Sequence, residues 1–262
     1  MAAENPGEVT GRGIKFSVVT TTWNRLALLR ENVASVRSQE FPDLEQIFVD
    51  GGSTDGTLEW LRGLTGDVKI LERVTGGIAP AMNAGLRVAT GDVILHLHSD
   101  DYLPHSRVLR RVANIFLETG CDWMYGRCLT DLDGAWTPEA NHFPDYDYQR
   151  LIQGDIIPHP ATYVRRSLFR LAGEFDESLR YAMDYDMWLR MGKIAKPRQV
   201  KEFLAVFRLH AGSATHANKL ASASDEHAVR KRYQSSSPLS RLNYELRFRK
   251  RLFEIKREIA DK

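Results

Sequence analysis

Residues 46–64 read QIFVDGGSTDGTLEWLRGL. The first five form a short apolar strand closed by Asp50, residues 51–56 are a glycine-rich turn, and residues 57–64 have the spacing of a helix that Asp55 could cap. The same unit stands on either side. Upstream, residues 16–22 (FSVVTTT) are a β-rich run, followed by Trp23, by Asn24 as the expected N-cap, and by a helix with Leu29, Val33 and Val36 on one face. Downstream, a third strand at 68–72 leads through Gly76 and Gly77 to a helix with Pro80 as its first residue, ending near Val88. A fourth strand at 93–97 then delivers Ser99, Asp100 and Asp101 into a loop. Strands alternating with helices predict an α/β fold with a mostly parallel central sheet flanked by helices.

Regular alternation stops after a helix near 106–118. An extended stretch at 122–130, an Asp133-Gly134 turn, a strand at 161–165, a short helix ending near Gly173, a helix at 184–191 and a strand at 202–209 follow. Without an internal repeat or a linker, this half is expected to complete the same domain. The expected organisation is an N-terminal tail at 1–14, one domain at 15–237 divided at 130/131 into two halves, and a helical tail at 238–262.

Lys plus Arg total 36 and Asp plus Glu 34, so the net charge of +2 provides no field for gripping nucleic acid. The longest uninterrupted apolar run, residues 203–207, falls far short of the roughly 20 residues of a membrane-spanning helix. The first fifteen residues lack the apolar core of a signal peptide, which makes the cytosol the expected compartment. Cys121 and Cys128 fall in one extended segment, roughly 23 Å apart at 3.3 Å per residue, and are expected to be reduced thiols.

In open α/β sheets, ligands bind outside the carboxyl ends of the parallel strands. Three polar clusters fall at such ends: residues 20–24, 50–55 and 98–101. Any one of Asp50, Asp55 or Asp100 alone would serve equally as a turn or cap residue; their convergence points to a binding crevice. The first βα turn contains no glycine, which argues against a dinucleotide, and no phosphate-binding P-loop pattern occurs. Adjacent carboxylates at Asp100 and Asp101 instead suit a hard divalent cation that borrows further ligands from a diphosphate.

FSVVTTTWN (16–24), IFVDGGSTDGT (47–57), GGIAPAMNAG (76–85) and ATGDVILHLHSDD (89–101) resemble, in order and spacing, family 2 glycosyltransferases with the GT-A, or nucleotide-diphospho-sugar transferase, fold. Residues 159–191, HPATYVRRSLFRLAGEFDESLRYAMDYDMWLRM, are similar to the acceptor-side segment of those enzymes. The resemblance makes 15–130 the nucleotide-sugar half and 131–237 the acceptor half. It implies that Thr20, Thr21, Thr22, Trp23, Asn24, Asp50 and Gly51 hold the nucleoside, Asp50 accepting from a base N–H and Trp23 flanking the base. Gly77, Met82, Asn83 and Ser99 continue the donor site, and Asp100 and Asp101 stand at the metal-binding D-x-D positions for Mn2+ or Mg2+, one of them reaching the ribose.

Two departures matter. His98 stands where relatives carry an acid, and Met82 where they carry Arg, so Arg73 or His210 becomes the candidate for a diphosphate contact, His210 also for the metal. Each histidine has an ordinary alternative: His98 bonded to a neighbour at a strand end, His210 on the surface, and His159 in a turn instead of the acceptor pocket. The cluster of Met183, Met187 and Trp188 reads as core packing in preference to a sugar platform.

Asp184 is the implied base, kept ionised by the first turn of its helix, while Asp186, also placed on the acceptor side, reads as a structural hydrogen-bonding residue. A single displacement with one base inverts the anomeric centre. The Q-x-x-R-W element of the processive synthases is absent, so one sugar per encounter is expected.

In the tail, residues 240–262 hold eight basic and four acidic side chains, a local +4, beside a stripe of Tyr244, Phe248, Leu252, Ile255 and Ile259. That pattern suits docking on the domain, on a second subunit, or on the inner face of an anionic membrane if the acceptor is lipid-linked. The expected partners are a nucleotide-sugar donor, with UDP favoured, and a hydroxyl acceptor selected by the irregular segment 130–160. Two rival readings are a non-catalytic nucleotide-sugar binder on the same fold and a sugar-nucleotide pyrophosphorylase. The second would need a glycine-rich basic first loop that residues 20–25 do not provide.

Overall fold

The computed structural model describes residues 13–138, 143–210, 218–234 and 237–260. Nearly all of the tail expected at 1–14 lies outside the described residues. The alternating half comprises β1 (Phe16–Thr22), α1 (Leu26–Arg37), β2 (Leu44–Asp50), α2 (Thr57–Arg62), β3 (Val68–Leu71), α3 (Ile78–Val88) and β4 (Val93–His96). The remainder comprises α4 (Val108–Thr119), β5 (Trp123–Leu132), β6 (Ala135–Pro138), α5 (Tyr148–Gln153), β7 (Thr162–Arg165), α6 (Arg166–Ala172), α7 (Met183–Ile194), β8 (Arg198–Arg208), α8 (Lys219–Tyr233) and α9 (Pro238–Ala260).

All the described strands join one eight-stranded sheet of order β3-β2-β1-β4-β7-β5-β6, with β8 also paired to β5. β1 lies between β2 and β4 and is parallel to both, and β2 is parallel to β3. Covered on both faces, β1 is buried at every residue except Thr21, which is why it reads as an apolar run with no alternation. Past β4 the direction changes: β7 is antiparallel to β4 and β5 antiparallel to β7, while β8 runs parallel to β5. The sheet is therefore mixed, with its parallel block under the first three polar clusters.

One layer of core packs α3 against Val19, Ile47 and Val49, and the other packs α4 against Phe16, Val18 and Leu95. Gly85 lets α3 lie flush on β1, because a Cβ there would sit 2.3 Å from Val19 Cγ1. Glu45 is a buried charge at the opposite end of the sheet from the polar clusters. It accepts from Ser17 Oγ at 2.5 Å, Thr90 N at 2.6 Å and Lys69 Nζ at 2.8 Å, tying β1, β2, β3 and the α3–β4 connection together. Burial pushes its carboxyl up, but these donors outweigh that and lower its pKa to about 2.

Several expectations need correction. α3 begins at Ile78, so Pro80 is its third residue, still in the turn whose N–H groups lack intrahelical partners. Asn24 does not cap α1; it adopts φ 51°, and the Leu26 N–H donates to Asp55 Oδ2 of the neighbouring loop at 3.1 Å. Asp55 also accepts from the Thr57 N–H, so one carboxylate serves the starts of two helices. α5, β6 and α8 were not anticipated. The C-terminal helix docks on α8 through a Phe248–His227 stack at 3.8 Å, and Ile255 is buried. Among the described residues, no helix is long and apolar enough to cross a membrane.

Candidate active site

The carboxyl ends of β1 and β2 meet where Thr22 registers with Asp50 and Gly51 N donates to Thr22 O at 2.9 Å. Asn24 laces the following loops together: its N–H donates to Ser53 Oγ and its Oδ1 accepts from Thr54 N, both at 2.8 Å. Asp50 is fully buried. Its Oδ1 accepts from Gly52 N and Ser53 N, each at 2.9 Å, whereas its Oδ2 has no hydrogen-bond partner. A buried carboxylate oxygen without a donor is a costly arrangement unless a ligand supplies the donor. Trp23 is 64% exposed beside it, so close over Gly51 that a Cβ there would stand 3.4 Å from Trp23 Cδ1. The hydroxyls of Thr20 and Thr22 are also buried without partners.

The segment following β4 continues parallel pairing, with Leu97 N donating to Val19 O and Ser99 N to Thr21 O. Asn32 of α1 holds the loop from beneath: its Nδ2 donates to the carbonyls of His98 and Asp101, both at 2.9 Å. Asp100 emerges half-buried, its Oδ2 3.0 Å from His210 Nε2 beyond the end of β8. Asp101 turns inward. It is 2% exposed, its Oδ1 accepts from Arg208 N at 3.3 Å, and burial together with the neighbouring Asp100 charge raises its pKa well above the usual carboxylate range. Of the three residues expected at the metal, Asp100 and His210 lie side by side, whereas Asp101 is buried. A carboxylate and an imidazole fit Mn2+ or Mg2+ when diphosphate oxygens and water complete the shell. Among the described residues, no cluster of three or more His, Cys, Asp or Glu side chains could hold the ion by itself.

The acceptor side approaches through histidines. Thr21 Oγ1 lies 2.7 Å from His98 Nδ1, and the His98 ring stacks on His159 at 4.8 Å with planes 7° apart. Burial and the His159 charge lower His98 to a pKa of about 4, against the opposing pull of Asp100 and Asp184. His159 Nδ1 approaches Asp184 Oδ2 to 3.4 Å, an electrostatic contact without hydrogen-bond alignment. Asp184 lies in the first turn of α7 and accepts from Tyr185 N at 2.8 Å. Burial pushes its carboxyl up, but the His159 ring and the Tyr185 N–H more than offset this and hold it below the ordinary aspartate value. The histidine pair thus connects the Asp100 side to Asp184.

Other expected site residues are engaged elsewhere. Met82 is fully buried in the core. Asn83 donates to Phe175 O and Glu177 Oε1 and accepts from Phe175 N, which uses its amide to fasten α3 to the segment before α7. Neither is left to contact a donor. Asp186 is 3% exposed and bonds Arg190, Arg232 and Tyr233, clamping α8 onto α7. Met183, Met187 and Trp188 are buried in the core, as their sequence pattern suggests. Val74 N donates to Asp50 O, so exposed Arg73 and Gly77, the N-cap of α3, sit on a segment fastened to the end of β2.

The sequence reading missed Asn32, Arg208 and Glu226. Glu226 on α8 is half-buried and pairs with Arg230 at 3.6 Å; burial raises its pKa against the opposing pull of Arg230. It lines a cleft of about 250 Å³ with Phe207, Leu209, Arg251 and Ile255, bounded by the end of β8, α8 and α9. Leu209 directly precedes His210.

Known glycosyltransferases are similar to this chain. The PGL/p-HBAD biosynthesis glycosyltransferase of Mycobacterium bovis (strain BCG / Pasteur 1173P2) is 32% identical over 196 residues, 73% of this chain and 74% of that protein. The hyaluronan synthase of Pasteurella multocida is 29% identical over 218 residues, 81% of this chain; the chain spans only 22% of its length. S. aureus TarS 1-349 in complex with UDP-GlcNAc matches with a TM-score of 0.68 at 23% identity, covering 82% of this chain and 65% of that one. The mannosyltransferase PcManGT from Pyrobaculum calidifontis, in complex with GDP-Man and Mn2+, matches with a TM-score of 0.69 at 18% identity, covering 95% and 75%. These likenesses show the shared GT-A fold. The family model "Glycosyl transferase family 2" matches residues 17–171, from β1 to α6, and the chain belongs to glycosyl transferase family 2.

Proposed function

We propose that this protein transfers one sugar from a nucleotide-diphosphate donor to a hydroxyl acceptor, with inversion and with help from a divalent cation. The observation that carries the reading is the unpartnered Oδ2 of buried Asp50 beside the exposed Trp23 ring, on the rim that also presents Asp100. Asp50 Oδ2 would accept from a base N–H while Trp23 covers the base. Uracil N3–H and guanine N1–H both suit that oxygen; the UDP-GlcNAc complex of TarS supports the uridine donor favoured here, and the GDP-Man complex of PcManGT is the guanosine alternative.

Asp100 and His210 would hold Mn2+ or Mg2+, which when bound neutralises charge on the departing diphosphate. Asp184 takes the acceptor's hydroxyl proton as the acceptor oxygen forms its bond to the anomeric carbon. The carbon–oxygen bond to the nucleoside diphosphate breaks on the opposite side, which inverts the centre. The lowered pKa of Asp184 keeps it ionised for this task at neutral pH. The acceptor would approach from the α8–α9 side past Glu226. A hyaluronan synthase and a PGL/p-HBAD biosynthesis glycosyltransferase among the relatives favour a product in polysaccharide or other glycoconjugate biosynthesis.

The test measures nucleoside-diphosphate release and glycoside formation from UDP-sugars with Mn2+. Asp184→Asn should lower turnover roughly 10²-fold to 10⁴-fold with donor affinity kept. Retained turnover in that variant would remove Asp184 from the role. Donor binding without any turnover in the wild type would favour a nucleotide-sugar binder, the reading that His98 and Met82 support by standing in place of the usual polar residues.

A further inference from the structure

Helix α9 carries two apolar stripes. The inner one, Tyr244, Phe248, Leu252 and Ile255, lies on the side where Phe248 stacks on His227 of α8 and Ile255 is 1% exposed. The outer one is Leu239, Leu242, Leu246 and Phe253, exposed to 77%, 56%, 56% and 67%. At about 100° per residue these four positions fall within roughly 60° of arc, on the side of the helix away from the inner stripe. Cations border them. Arg249 and Lys250, paired one turn away with Glu245 at 3.4 Å and Glu254 at 3.9 Å, have side chains 74% and 80% exposed, and Lys256 and Arg257 are exposed further along. Residues 238–260 hold seven basic and three acidic side chains, a net of +4.

We propose that this outer face of α9 seats the protein on an anionic lipid bilayer. Leu239, Leu242, Leu246 and Phe253 enter the boundary between headgroups and acyl chains, while the flanking Arg and Lys side chains meet lipid phosphates. The tail pattern read from sequence pointed to the opposite face, which the structure shows docked on α8. A second copy of the chain fits the outer stripe less well, because pairing two such faces would bring their cationic borders together. A bilayer with negative headgroups meets both the apolar stripe and its border. The proposal does not depend on glycosyl transfer, and its test uses no donor.

The experiment is flotation of the full chain with vesicles of phosphatidylcholine alone or mixed with phosphatidylglycerol, at low and high salt. The protein should float with anionic vesicles at low salt, be released at high salt, and stay at the bottom with phosphatidylcholine alone. The Leu246→Ser/Phe253→Ser double variant should bind at least about tenfold more weakly. Its melting temperature should be unchanged, because both side chains are exposed. Arg249→Gln/Lys250→Gln gives a second reading of the same face and should weaken binding roughly tenfold or more. The proposal is overturned if the wild type fails to float with anionic vesicles at low salt, or if both double variants float as well as the wild type. It is equally overturned if sedimentation shows a dimer that the Leu246→Ser/Phe253→Ser variant dissociates while vesicles recruit neither form.

Discussion

Replacing Asp50 with Asn alters a single atom's role at the proposed base-binding position. Asn keeps a carbonyl oxygen for the Gly52 and Ser53 N–H groups, now 2.9 Å from Asp50 Oδ1, so the turn after β2 should hold its shape. At the place of Oδ2, which has no partner, it puts an amide N–H. A base N–H arriving there would lose a charged acceptor, an interaction of about 1.5–3 kcal/mol, and would face another donor, leaving a buried N–H unsatisfied for about 1–3 kcal/mol more. The lower part of that range, about 3 kcal/mol, already means roughly 10²-fold weaker nucleotide binding. Calorimetric titration of UDP into both proteins measures this, with melting temperatures showing that the fold is intact. If Asp50→Asn melts like the wild type and binds UDP equally well, Asp50 does not receive the base. Asp50→Ala separates the two roles, since it also removes the acceptor for Gly52 and Ser53 and should lower the melting temperature.

Glu45→Gln should cost about 2–3 kcal/mol, because it removes the buried charge that Lys69 pairs with. Glu45 is depressed in the folded protein to about 2, so its contribution is complete above its ordinary value and lost as pH falls toward 2. Denaturant melts of the wild type should show that acid loss and those of the variant should not; identical pH profiles would refute it. His159→Gln removes the contact that holds Asp184 down, so the Asp184 pKa should rise and the acid limb of kcat/KM should move to higher pH. Donor affinity and turnover on the alkaline side should change little; an unmoved acid limb would show that His159 does not act through Asp184.

The parallel block was legible because each of its central strands is an apolar run that ends in polar or glycine residues at the same edge of the sheet. Burial on both faces writes that pattern directly into the chain. The site was legible only as far as such local patterns reach. Nothing in the spacing of Asp100 and Asp101 tells which carboxylate turns inward; that follows from Arg208, whose N–H meets Asp101 from β8, more than a hundred residues away. Asn32 reads as a polar interruption on an apolar helix face, yet its amide holds the 98–101 loop. α8 escaped notice because its first turns, KLASASDEHAV, use small side chains without an apolar period, and it is fixed instead by Asp225 accepting from the N–H groups of Arg180 and Tyr181. Asn83 and Asp186 look like site residues in a motif, but their donors and acceptors are occupied by packing partners visible only in three dimensions.

The central claim is that Asp50 and the Asp100–His210 pair grip opposite ends of one nucleoside diphosphate. Titrating UDP into the wild type and Asp100→Asn, with and without Mn2+, tests it most directly. UDP should bind the wild type more tightly when Mn2+ is present, and Asp100→Asn should lose that increment while retaining the metal-independent part. Failure of UDP to bind, or binding that Mn2+ leaves unchanged in the wild type, would contradict the account.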